Sequence, residues 1–179
     1  HCCDIGPLQY AIQIKTQLKE INAPLPIYAP TGEFFNLLKW ENYTYGISFE
    51  ENSNLTLGPF EISFIKNIHP VEAYSVRIKC GDKVFSFTSD TSYFENLAEF
   101  FSNSDLLICE CSFYSDMDGL KAGHLNSSQA GMLAEKANVK NLILTHLPHF
   151  GDLNNLLTEA REFYKGEIEL ASYMMEIDI

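Results

Sequence analysis

From residue 92 onward the chain alternates helical and extended patterns. A helix is expected in "SYFENLAEFF", a strand in "DLLICECS", a helix in "SSQAGMLAEKAN", a strand in "NLILTH", a helix in "DLNNLLTEAREFYK", and two closing strands in "EIELA" and "MMEIDI". Strand-length apolar runs set between segments of helical period admit few folds. They predict helices covering a sheet on one or both faces, the layered α/β class. Upstream, "LTLGPFEISFIKNI", "EAYSVRIKC" and "KVFSFTS" are β-branched and aromatic and are parted by GP, HP and GD turns, so three antiparallel strands are expected there. At the start, the apolar spacing after Pro7 predicts a helix from Pro7 to Asn22, a buried strand in "LPIYAP" and a helical pattern in "GEFFNLLKW". No repeat or linker divides the chain, and one domain over residues 1–179 is expected.

Composition narrows the function classes. Twenty-four acidic residues against twelve basic ones give a net charge of -12, which repels polyphosphates unless a bound cation offsets it locally. A broad nucleic-acid-binding surface is thereby disfavoured. The five cysteines, Cys2, Cys3, Cys80, Cys109 and Cys111, are odd in number and form no CxxC pair. Neither a disulfide framework nor a zinc ribbon fits, and a reducing, cytoplasmic setting does. No apolar run reaches the length of a membrane span.

The chemistry-bearing residues collect where strands should meet loops. His146 closes "NLILTH", Asp90 closes "KVFSFTSD", His69 lies in the turn "NIHPV", and His124 lies in the glycine-flanked loop "KAGHLNS". Imidazole and carboxylate together suit zinc, and an aspartate can bridge two ions. Each residue alone has a plainer reading. A lone strand-end histidine is commonly a hydrogen-bonded surface residue, Asp90 after "TS" could cap a helix, and His124 could cap the helix that follows. The joint order of the segments favours the metal reading.

In that order the segments resemble the metallo-β-lactamase-fold hydrolases, and within them the ribonuclease Z-like branch. "HCCDIGPLQYA" is similar to the stretch beginning at the last histidine of that family's His-x-His-x-Asp-His loop. "HPVEAYSVRI" is similar to its His-Pro segment, "FTSDTSYF" to its bridging-aspartate segment, "LILTHLPH" to its final metal-histidine strand, and "GHLNSSQAG" to the branch's Gly-His-Ser/Thr loop. The resemblance implies a four-layer αββα sandwich whose first strands and first half of the metal loop would lie upstream of His1. It implies two zinc ions, with manganese or iron as alternatives. His1 and His146 would hold the second metal, His69 the first, and Asp90 would bridge them.

His124 would then be the proton donor or phosphate contact, oriented by Glu110 unless Glu110 is merely an exposed strand-end carboxylate. The implied activity is hydrolysis of a small-molecule or nucleotide phosphodiester, with the nucleophile generated at the metals and His124 protonating the leaving alkoxide. No stable nucleic-acid complex and no membrane partner are expected, and homodimers are common in the branch. Ribonuclease Z proper carries His-Glu-Ala-Thr where this chain has "CECS" at Cys109 to Ser112, and a basic arm that this chain lacks. Transfer RNA processing is thus a disfavoured alternative, and a non-catalytic binding protein with an incomplete metal site is the competing class. Cys109 and Cys111 are expected in the core, Cys2 and Cys3 as packing residues near the metal loop, and His149 as a partner of the ligands or a substrate contact.

Overall fold

The structure, a computed structural model, describes residues 3–51 and 53–179. Two compact units emerge, His1–Ser53 and Asn54–Ile179. The first contains α1 (Ile5–Gln17), β1 (Leu25–Pro30), a single 3-10 turn at Phe35–Leu38, and β2 (Thr44–Phe49). Pro7 sits in the first turn of α1, where its missing N–H leaves no helical bond unmade. The helix ends short of the expected Asn22 because Lys19 turns left-handed at φ 63°. "GEFFNLLKW" yields only the four-residue 3-10 turn.

β2 pairs parallel with β1 from Leu25↔Thr44 to Pro30↔Phe49. A Cβ at Gly46, in the middle of β2, would meet Phe35 Cζ at 2.9 Å, so glycine lets the 3-10 turn lie on the strand. Buried Gln9 ties α1 to both, its amide donating to Leu37 O at 2.7 Å and to Thr44 Oγ1 at 3.2 Å.

The second unit is a seven-stranded sheet in sequential order: β3 (Asn54–Leu57), β4 (Phe60–Lys66), β5 (Tyr74–Cys80), β6 (Lys83–Phe87), β7 (Leu106–Glu110), β8 (Asn141–Thr145) and β9 (Glu167–Leu170). From β3 to β6 the pairing is antiparallel, and from β6 to β9 it is parallel. Two expectations need correction. The antiparallel part has four strands rather than three, because Gly58 turns left-handed at φ 59° before Pro59 and splits "LTLGPFEISFIKNI" into a hairpin. "MMEIDI" is not a strand: Met175 N–H closes a turn on Ser172 O at 3.3 Å and Met174 is left-handed at φ 56°, which ends the extended run.

Helices α2 (Asn96–Phe100), α3 (Ser127–Lys136) and α4 (Asn154–Arg161) connect the parallel strands. The core they cover includes Leu97, Phe101, Leu107, Leu133, Leu144 and Leu156, all fully buried. Cys109 and Cys111 belong to it as expected. Burial pushes the Cys111 thiol up to about 12, so it stays protonated at neutral pH. Cys3, by contrast, is exposed, so its expected packing role is not met; Cys2 lies outside the described residues. No helix among the described residues is long and apolar enough to cross a membrane.

Asp105, at the entry to β7, accepts from Lys140 Nζ at 2.6 Å and from Val84 N–H at 2.8 Å. The hydrogen bond from Lys140, with those of the Val84 amide and the nearby positive charges, holds its carboxyl below the ordinary aspartate value despite burial. A carboxyl depressed on folding adds stability above its unfolded pKa, and that stability disappears as pH falls through the folded value. Urea unfolding should therefore find Asp105→Asn less stable than the parent at neutral pH. The gap should close as pH drops below about 4; a gap that is constant from pH 7 to 3 would exclude the effect.

Candidate functional site

Strand direction decides where the candidate residues meet. β6, β7 and β8 run parallel, so their carboxyl ends, followed by Asp90, ending in Glu110 and followed by His146, share one edge of the sheet. β5 runs antiparallel to β6, which puts the start of β5, and the turn before it with His69, beside the end of β6. His124 arrives on the connection from β7 to α3. Gly123, left-handed at φ 85°, lets that connection lie on the His69 turn: a Cβ there would meet Pro70 Cδ at 2.5 Å and His69 Cδ2 at 2.7 Å.

The side chains converge. His69 Nε2 lies 3.9 Å from Asp90 Oδ2 and His146 Nδ1 lies 3.2 Å from Asp90 Oδ1. The His124 ring centre is 5.3 Å from that of His69 and 5.1 Å from that of His146. Donor atoms of His69, Asp90 and His124 all fall within 4.8 Å of one another, as do those of Glu110, His124 and His146. Three imidazoles and two carboxylates at such spacing fit a divalent transition metal. The His69 side chain is 9% exposed and that of His146 46%, so the cluster is open to solvent at His146.

Glu110 is not the exposed strand-end carboxylate allowed by the sequence; it is 1% exposed. Its Oε1 accepts from Thr91 N–H at 3.1 Å and lies 2.9 Å from His124 Nδ1, while Oε2 accepts from Ser112 N–H at 3.2 Å. Burial pushes its carboxyl above the ordinary glutamate value, opposed by the Thr91 amide and by His124. The helix-cap readings also fall away. Asn126 caps α3 in a reciprocal box with Gln129, and Glu95 rather than Asp90 precedes α2.

Two residues at this edge carry backbone strain. Ser89 and His146 are left-handed at φ 50° and 53° without being glycine, a conformation that costs a β-carbon-bearing residue roughly 1–2 kcal/mol. His149 is exposed and belongs to neither cluster, and His1 lies outside the described residues. Three polar residues escape sequence reasoning. Buried Asn67 donates to Thr88 O at 2.7 Å and to Asp90 O at 3.0 Å, and accepts from Ser75 N–H and O–H at 3.0 and 2.7 Å. Thr91 and Ser112 reach Glu110. Amides and hydroxyls are ordinary turn residues, and nothing in their local sequence distinguishes them.

Residues 7–147 match the family model described as the beta-lactamase superfamily domain. The chain belongs to the metallo-β-lactamase superfamily. Over 173 residues it is 44% identical to the probable metallo-hydrolase YhfI of Bacillus subtilis, a match covering 96% of this chain and 71% of that protein. The crystal structure of the metallo-β-lactamase fold protein YhfI superposes with a TM-score of 0.90 at 45% identity, covering 96% of this chain and 70% of that one.

The ribonuclease Z of Salinispora arenicola is 33% identical over 98 residues, 53% of this chain and 32% of that enzyme. A diphosphatase of the PhnP family superposes with a TM-score of 0.70 at 18% identity, over 98% of this chain and 64% of that one, a likeness of fold alone. The α/β sandwich of the superfamily and its ribonuclease Z-like kinship, both expected from the sequence, are thus met.

Proposed function

We propose that this protein is a metal-dependent phosphodiesterase whose substrate is a small-molecule or nucleotide phosphodiester. The observation that carries the reading is the pair of buried Glu110 and half-buried His124, 2.9 Å apart, set against the imidazole and carboxylate cluster around Asp90. His69, Asp90 and His146 would contribute to holding two zinc ions, or manganese or iron in their place. A bound divalent metal supplies Lewis acidity and brings the pKa of a water toward neutrality.

The protein's own residues do the rest. Asp90 faces both His69 and His146 and keeps the two in reach of one another. Glu110 engages His124 Nδ1, so the proton the ring can hand to a leaving oxygen is the one on Nε2. A leaving alkoxide needs that proton and a leaving thiolate does not, which favours a phosphodiester over a thioester. The net charge of -12 works against a long polyanion, which favours a small substrate over the precursor transfer RNA that the kinship with ribonuclease Z would suggest.

The test compares bis(p-nitrophenyl) phosphate, nitrocefin and an acyl thioester as substrates of the full-length protein, with and without a chelator. Phosphodiester hydrolysis that the chelator abolishes is expected. Turnover confined to the β-lactam or the thioester would replace the reading, and no turnover of any of them would favour a binding role for the site.

A further inference from the structure

Ser112 has no role in the reading above, yet it stands between its two halves. Its Oγ is 3.1 Å from Glu110 Oε2, 3.1 Å from His146 Nδ1 and 3.3 Å from His146 O. A serine hydroxyl has one proton to give and two lone pairs with which to accept. Of the three neighbours the carboxylate is the strongest acceptor, and a hydrogen bond to an ionised group is worth about twice a neutral one. With its proton on Glu110, the Ser112 oxygen presents lone pairs to His146 Nδ1. That contact is attractive only when Nδ1 carries a hydrogen. Asp90 Oδ1, 3.2 Å from the same nitrogen, is a second acceptor for it.

We infer that Ser112 is a positioning residue that holds His146 in its Nδ1–H form and leaves Nε2 as the nitrogen available to a metal. The chain of donors runs from His146 Nδ1–H to Ser112 Oγ, and from Ser112 O–H to Glu110 Oε2. Glu110 then organises both sides of the site, gripping His124 through Oε1 and His146 through Ser112 and Oε2. The inference rests on the metal site proposed above, and it adds a residue that neither touches substrate nor binds the ion.

Ser112→Ala and Ser112→Thr in the full-length protein test it, with zinc affinity measured by competition against a chromophoric chelator and the metal-free melting temperature measured alongside. Partners that orient a metal-binding histidine typically contribute about 10- to 100-fold in affinity. Ser112→Ala should lose that much from the weaker zinc site, and Ser112→Thr, which keeps the hydroxyl, should stay within about threefold of the parent by the same measure. The metal-free melting temperatures of the three proteins should agree. Parent-like zinc affinity in Ser112→Ala would overturn the inference, and so would an equal loss in both variants. If the parent hydrolyses the phosphodiester but Ser112→Ala binds zinc normally, only the inference fails. If zinc binding depends on Ser112 but no phosphodiester is cleaved, only the functional reading fails, and a parent that binds none of zinc, manganese and iron removes both.

Discussion

Asp90→Ala is expected to lower kcat/KM for a phosphodiester by about 10³-fold or more, the loss that several kcal/mol of charge stabilisation represents. The carboxylate stands between His69 and His146, one oxygen 3.9 Å from the first and the other 3.2 Å from the second. Without it the two imidazoles lose the anion between them, and zinc content should fall with activity. Folding should survive the change. Asn67 holds the Asp90 backbone through the main-chain carbonyl, at 3.0 Å, and holds Thr88 O beside it, and neither bond uses the side chain removed. The experiment therefore pairs kinetics with zinc analysis and a melting curve. Equal rates in the two proteins would remove Asp90 from the proposed metal bridge, and a collapsed melting curve would make it a folding residue instead.

The largest effect on stability is expected at Gly131, in α3 where it crosses α4. A Cβ at this position would lie 2.4 Å from Ala160 O, 3.0 Å from Ala160 Cα and 3.1 Å from Ala160 C. All three are main-chain atoms, so α4 itself must move to relieve the contact. It is not free to do so: the Glu159 carboxylate accepts from Ser127 O–H and from Ser115 N–H, and Leu156 is fully buried.

Two terms oppose each other in Gly131→Ala. Alanine gains about 1 kcal/mol of helix propensity, and overpacking costs roughly 1–3 kcal/mol. A modest net loss should result. Gly131→Val adds two methyl groups to the same contact and lacks the propensity of alanine, so a loss of about 3 kcal/mol or more is expected, near 10 °C in Tm for a chain of this size. A valine variant that melts with the parent would show that α3 and α4 do not approach so closely.

Much of the architecture is legible in the sequence, for a physical reason. The parallel strands are short apolar runs that cover their own ends with turn residues, and "NLILT" becomes β8 and "EIEL" becomes β9 as the pattern suggests. What escapes is decided by partners rather than by pattern. β2 carries Gly46 and an uneven alternation, and it is extended because β1 lies alongside it. "MMEIDI" has the right alternation but pairs with no strand among the described residues. Among site residues, histidine and carboxylate at strand ends are uncommon enough to notice, and the structure gathers His69, Asp90, Glu110, His124 and His146 at one edge. Ser112 becomes visible only when a chain position 34 residues away folds back onto it.

The left-handed backbone at His146 sets two demands against each other. Glycine or asparagine would occupy that conformation more comfortably than histidine does. A population of variants screened only for resistance to heat would therefore drift away from histidine at position 146, and from serine at position 89, while the sheet beneath stayed unchanged. Screens for durability and screens for turnover should thus diverge first at the mouth of the sheet, long before they diverge in its core.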